Sequence, residues 1–253
     1  MDNSPRIVRG SAGTELYIPS KAGELMYSLD GLRQETYQRV GRSILSQGLA
    51  VPTGDLTAPL VHAAYCSALK DELGLRNVRQ ILQDEWLWVF NMNLWTDKGL
   101  FVSQDNEVIG RSWPIDVGYS QPLDVSTLER KLQGGKEFEG IRFSEDGSVR
   151  FAPNGSYSLG GMSAEKLAKN GFMIAQYGVE GAKLMAEASA TFREQPEIFG
   201  FDIQEGEESN LRVSALSWLD SRLRFTGYDF FYGDGYVSYA CAFPVSNPRM
   251  QKI

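Results

Sequence analysis

The alternation of apolar and polar positions is most decisive in the stretch EWLWVFNMNLWTDKGLFVSQD, residues 85–105. In an extended chain Trp86, Trp88, Phe90, Met92 and Leu94 fall on one face and Leu87, Val89 and Trp95 on the other, with Asn91 and Asn93 between them. A strand that is apolar on both faces is covered on both for most of its length. Thr96-Asp97-Lys98-Gly99 reads as a turn in which Gly99 supplies a positive φ, and Leu100, Phe101 and Val102 return as the second strand of a hairpin. Burying aromatics of this size contributes about 1.5–3 kcal/mol each, which makes the hairpin a core element. Asn91 and Asn93 predict that one face becomes polar toward the turn.

Upstream the period changes to that of a helix. Leu29, Leu32, Tyr37, Val40, Ile44 and Leu45 make a stripe on a helix that starts at Ser28 or Asp30 and stops before Gly48. Thr53 or Asp55 caps a second helix, with Leu60, Val61, Ala64 and Leu69 on its apolar side and Gly74 at its end; a third runs from Asn77 to Asp84. Residues 1–28 are punctuated by Gly and Ser and predict a loose start with one edge strand at Leu16-Tyr17-Ile18.

Downstream, residues 106–125 carry two prolines and little period, so they read as a loop, and Ser126 caps a short helix ending at Gly134-Gly135. Gly140–Pro153 is a hairpin, because alternating apolar runs flank Asp146-Gly147. Ser163 caps a short helix through Ala168. Gly171–Tyr177 reads as a strand, Val179–Phe192 as a helix and Glu197–Ile203 as a strand, an order that allows a βαβ unit near 171–203. The tail predicts antiparallel strands at Leu211–Leu219, Arg222–Tyr228 and Tyr236–Val245, with turns at Asp220-Ser221 and Gly233-Asp234-Gly235. The fold class is α+β, with N-terminal helices packed on a mainly antiparallel β-sheet. It is read as a single domain over 1–253, whose weakest continuity falls near 135.

Composition narrows the class. Apolar residues make up 42% and aromatics 11%, enough for a core and too much for global disorder. The net charge of −7 contains no basic block, which argues against nucleic acid as a partner. No apolar run approaches the roughly 18–20 residues that span a bilayer, so no membrane role is expected. The opening MDNSPRIVRGSAG has no apolar core of a secretory signal, and two cysteines make no disulfide framework. These features predict a soluble, acidic, cytoplasmic protein with reduced thiols.

No motif names a reaction. His62 is the sole histidine, and with Cys66 four residues on it shares a helix face. Two such ligands are too few for zinc, so no metal site is assigned. Gly178 and Gly181 resemble a phosphate-binding turn only superficially: no complete glycine-rich nucleotide motif is present, and Glu180 would repel an anion. No cofactor is implied. The usable carboxylates are Asp202, Asp220, Asp229 and Asp234, all at or near predicted strand ends. Two of them gathered on one rim can serve as acid and base or hold a divalent cation, the chemistry of a metal-assisted or glycosidic hydrolase; their ordinary role is in turns. The run Glu205-Gly206-Glu207-Glu208 reads as a solvated loop.

Aromatics crowd the segment 228–239 around Gly233 and Gly235. Aromatics beside flexible glycines give large contact area at low entropy cost, so Tyr228, Phe231, Tyr232 and Tyr236 are the candidate ligand-binding residues. Their ordinary role is as strand residues packed on helices. The leading expectation is a non-catalytic binding or interaction protein that contacts a protein or small-molecule ligand through 228–236. The carboxylate hydrolase is the alternative, and self-association through the same surface is compatible with either.

Overall fold

A computed structural model of the chain describes residues 4–11, 13–20, 23–109, 123–227 and 240–246, and of residues 32–34 the backbone alone. Strands β1 (Arg6–Gly10), β2 (Gly13–Ser20) and β3 (Gly23–Ser28) form a meander and lead to β4 (Leu32–Glu35). Helices α1 (Tyr37–Ser46), α2 (Gly54–Cys66) and α3 (Leu73–Asp84) deliver the hairpin β5 (Trp86–Thr96) and β6 (Gly99–Gln104). Then come α4 (Val125–Leu132), β7 (Lys136–Phe138), β8 (Ile141–Phe143), β9 (Val149–Pro153), β10 (Gly160–Gly161), α5 (Ala164–Ala168) and α6 (Gly171–Ser189). The tail holds β11 (Glu197–Phe199), β12 (Asn210–Leu219), β13 (Arg222–Thr226), β14 (Ala240–Ala242) and β15 (Val245–Ser246).

The main sheet is open and runs β10-β11-β13-β12-β5-β6-β9-β8-β7, with β14 pairing both β4 and β5. A smaller sheet runs β1-β2-β3-β15. Pairing is antiparallel except between β11 and β13 and between β14 and β5. The described residues are therefore α+β, with helices laid on a mainly antiparallel sheet.

The tryptophan strand lies in the middle of that sheet and is buried on both faces. Trp88 and Phe90 pack with Tyr37, Val40 and Ile44 of α1. Met92 and Leu94 pack with Leu128 and Leu132 of α4. Leu87, Val89 and Trp95 face α2, α3 and α6 in a cluster that reaches from Leu16 to Val245. The pairing with β12 slips between Val213 and Ser214, so Phe90 and Asn91 have no partner there. Two extra residues keep the period-2 alternation intact, and each face keeps its apolar set.

Four expectations are corrected. The start is not loose: the meander at 6–28 buries Leu16, Leu25 and Tyr27, and the Tyr27 hydroxyl donates to the Leu56 carbonyl at 2.7 Å. Its period-2 burial extends up to Leu29, so the first helix begins only at Tyr37, after Thr36. Asp124, not Ser126, caps α4: its carboxylate accepts from Thr127 N at 2.8 Å, and the Ser126 hydroxyl foremost, with Thr127, holds its pKa down at about 2. Gly171–Tyr177 is helical, so the expected βαβ unit is absent. Every residue from Gly171 to Tyr177 is buried, and a short run that is buried all round and apolar but for Gln176 does not distinguish a strand from a buried helix. Among the described residues no helix is long and apolar enough to cross a membrane.

Candidate functional site

The segment carrying the predicted aromatic residues is held at both ends by the core. At its start, the Trp95 indole Nε1–H donates to the Gly227 carbonyl at 2.9 Å. Gly227 and Gly200 both lie against that indole. A methyl group at Gly227 would stand 2.6 Å from the indole and 2.7 Å from the Phe172 ring, and one at Gly200 would overlap the indole outright. Phe172 stacks on Trp95 with centroids 6.0 Å apart, and Tyr157 and Phe201 meet it edge-on at 5.9 and 6.2 Å. At its far end, Ala240, Cys241 and Ala242 are buried in β14, between β4 and β5.

Tyr228, Phe231, Tyr232, Tyr236, Asp229 and Asp234 lie outside the described residues. Asp202 is exposed on the rim next to Phe201; it and burial, burial foremost, push the Tyr157 phenol up to about 12. Asp220 is exposed in the β12–β13 turn, where Asp220 and Ser221 both take positive φ (52° and 63°), as a tight two-residue hairpin turn demands. Since β11 runs parallel to β13, with Phe199 beside Thr226, Asp202 lies beyond the C-terminal end of β13, whereas Asp220 precedes its N-terminal end. The strand pair separates these two carboxylates rather than gathering them. Among the described residues, no group of three His, Cys, Asp or Glu side chains could hold a metal ion.

Behind Trp95 lies a polar centre that the strand pattern hid. Asn91 and Asn93 are fully buried rather than facing a polar surface. Asn91 Nδ2 donates to both the backbone carbonyl and the side-chain oxygen of Gln176, at 2.9 Å each. The Gln176 amide donates to Asn93 Oδ1. Ser214 accepts from Asn93 Nδ2 and donates to Gln176 Oε1, each at 2.8 Å.

The cause is the break in α6. Gly178 takes φ 70° and ψ 169°, a conformation essentially restricted to glycine. The interrupted helix frees carbonyls on the preceding turn. Asn91 captures that of Gln176, and Arg150 captures that of Ala175 at 3.2 Å. Arg150 is itself buried and pairs with Asp55, which also accepts from Gln104 at 2.8 Å. This network fixes the first half of α6, hence Phe172, hence the wall behind Trp95.

The two thiols differ in environment. Cys241 is buried and donates to Glu85 Oε2 at 2.7 Å; burial, then Glu85, pushes its thiol up to about 12. Cys66 is exposed, with its thiol raised by burial of the sulfur and by Glu187. The thiolate is the reactive form. At mildly alkaline pH the folded chain is therefore expected to titrate one thiol with a disulfide reagent and the denatured chain two; two rapid reactions in the folded state would contradict the Cys241–Glu85 pairing. His62, four residues before Cys66, bridges α2 to α6 through Glu187 at 2.8 Å.

No protein-family model matches this sequence, and no curated protein matches it. One solved chain, described as "Accommodation of massive sequence variation in Nanoarchaeota by the C-type lectin fold", is 13% identical with a TM-score of 0.45, over 85% of this chain and 98% of that one. At that distance the likeness carries no argument about this chain.

Proposed function

We propose that this chain is a non-catalytic binding protein, and that the aromatic segment 228–236 is its contact surface for a protein or small-molecule ligand. The observation that supports it is the double anchorage: Trp95 holds Gly227 and β14 is buried in the sheet, so the two points that flank the segment are fixed to the core. Rigid supports under rotamer-poor aromatics lower the ordering cost of binding. The unpaired state of Cys66 and Cys241 suits a reducing, cytoplasmic setting.

The test replaces Tyr228, Phe231, Tyr232 and Tyr236 together by serine. Surface substitutions change stability by within about 0.5 kcal/mol each, whereas truncating a buried aromatic costs about 3–5 kcal/mol. The expected result is a melting temperature within a few degrees of the parent. Thermal shifts against panels of sugars, nucleotides and candidate partner proteins should appear with the parent and vanish with the variant. A collapse of the melting temperature would show that these rings are core residues and end the reading.

A further inference from the structure

The main sheet has a second polar grouping, on the face of β12, β13 and β11 opposite the largest core cluster, where Ser217 pairs with Trp86 of β5. Ser217 stands opposite Arg224, and Arg224 beside Glu197, in one row across the three strands; Arg222 lies two residues along on the same face. The alternating neighbours Leu216, Leu223, Phe225 and Ile198 fill the core on the other side. Glu197 Oε2 is shared, 3.3 Å from Arg224 Nε and 3.6 Å from Arg222 Nη1. The Arg224 guanidinium lies over the Phe199 ring at 4.8 Å and reaches exposed Asp220 only at 3.8 Å.

These contacts leave two buried donors without an acceptor, Ser217 Oγ and Arg222 Nε; Tyr65 Oη is the other such side-chain atom among the described residues. Ser217 is 3% exposed. Folded proteins pair nearly all buried polar groups, so two orphans on one face of a single hairpin call for an explanation. The geometry of arginine supplies one. With Nη1 turned to Glu197, the edge left to Arg222 is Nε and Nη2, the parallel pair of N–H groups that matches two oxygens of a carboxylate or phosphate.

We propose that this face is an oxyanion-binding site. A carboxylate or phosphate group is taken by the Nε/Nη2 edge of Arg222 and by the Ser217 hydroxyl. Glu197 orients Arg222 and offsets the charge of Arg224. The anion enters at the hairpin end, where Leu219 is 42% exposed and the Arg222 side chain 29% exposed.

The test is the melting temperature of the full chain in inorganic phosphate, acetate or chloride at matched ionic strength. Phosphate or acetate is expected to raise it by about 3 °C at ten times the dissociation constant, with saturation, and chloride is not. A response to phosphate alone assigns a phosphate ligand, and a response to acetate a carboxylate. Ser217→Ala is expected to leave the anion-free melting temperature unchanged or higher, since it removes an unpaired buried hydroxyl, and to abolish the anion response. Arg222→Lys keeps the charge without the fork and should lose most of the response, while Arg39→Lys keeps it. The proposal fails if neither anion exceeds chloride, if the response survives in both site variants, or if Ser217→Ala lowers the anion-free melting temperature, which would mean that the hydroxyl already has a partner.

Discussion

Replacing Gln176 by leucine is expected to destabilise the chain by roughly 3–5 kcal/mol, because each buried polar group left unpaired costs about 1–3 kcal/mol. Leucine is close to glutamine in volume, so no cavity complicates the reading. Asn93 Oδ1 loses the amide that donates to it, and Ser214 Oγ and one Asn91 hydrogen lose the Gln176 side-chain oxygen. For a chain of 253 residues that loss lowers the melting temperature by about 6–20 °C. The double variant Asn93→Leu with Gln176→Leu should be less destabilised than the two single costs summed, since removing both partners orphans fewer groups. Strict additivity in that cycle, or a single-variant cost below about 1 kcal/mol, would show that the network contributes little.

How much of this was legible beforehand depends on what each residue reports locally. The two-sided apolar pattern of 86–95 was enough to mark β5 as a strand covered on both faces, because such burial leaves a direct mark on composition. Asn91 and Asn93 carried half of the next message. Two amides in an apolar strand announce a polar requirement, but their partner Gln176 is far along the chain, in a run whose apolar residues conceal its period. Gly178, which creates that requirement by breaking α6, stood in the sequence at an expected strand–helix junction rather than inside a helix.

The same logic separates the predicted aspartates. Asp220 at a turn was foreseeable from Asp-Ser chemistry, whereas its distance from Asp202 depends on β11 running parallel to β13, which no local signal encodes. Ser217 and Arg222 gave no sign at all, because an unpaired donor is a property of three-dimensional neighbours.

Trp95→Ala and Trp95→Phe should separate the structural role of this side chain from its role as a clamp. Trp95 is 1% exposed and fills the space among Phe172, Tyr157, Phe201 and the two glycines. Truncation to alanine opens a cavity that small residues such as Gly200 and Gly227 cannot fill. The expected cost is about 3–5 kcal/mol, seen as an earlier midpoint in urea.

Phenylalanine keeps much of the packing but removes the Nε1–H that holds the Gly227 carbonyl. Its cost is expected nearer 1–3 kcal/mol, that of one orphaned buried acceptor plus a partial void. The loss falls at Gly227, next to the segment 228–239, so Trp95→Phe should speed chymotrypsin cleavage within that segment by more than its global destabilisation accounts for. Cleavage is measured under native conditions beside Leu132→Ala, a core variant in the α4 cluster, chosen to match the global loss. Equal cleavage in the two variants would mean that the indole supports the core in general rather than gripping this segment, and the binding surface would lose the anchorage on which its proposed function stands.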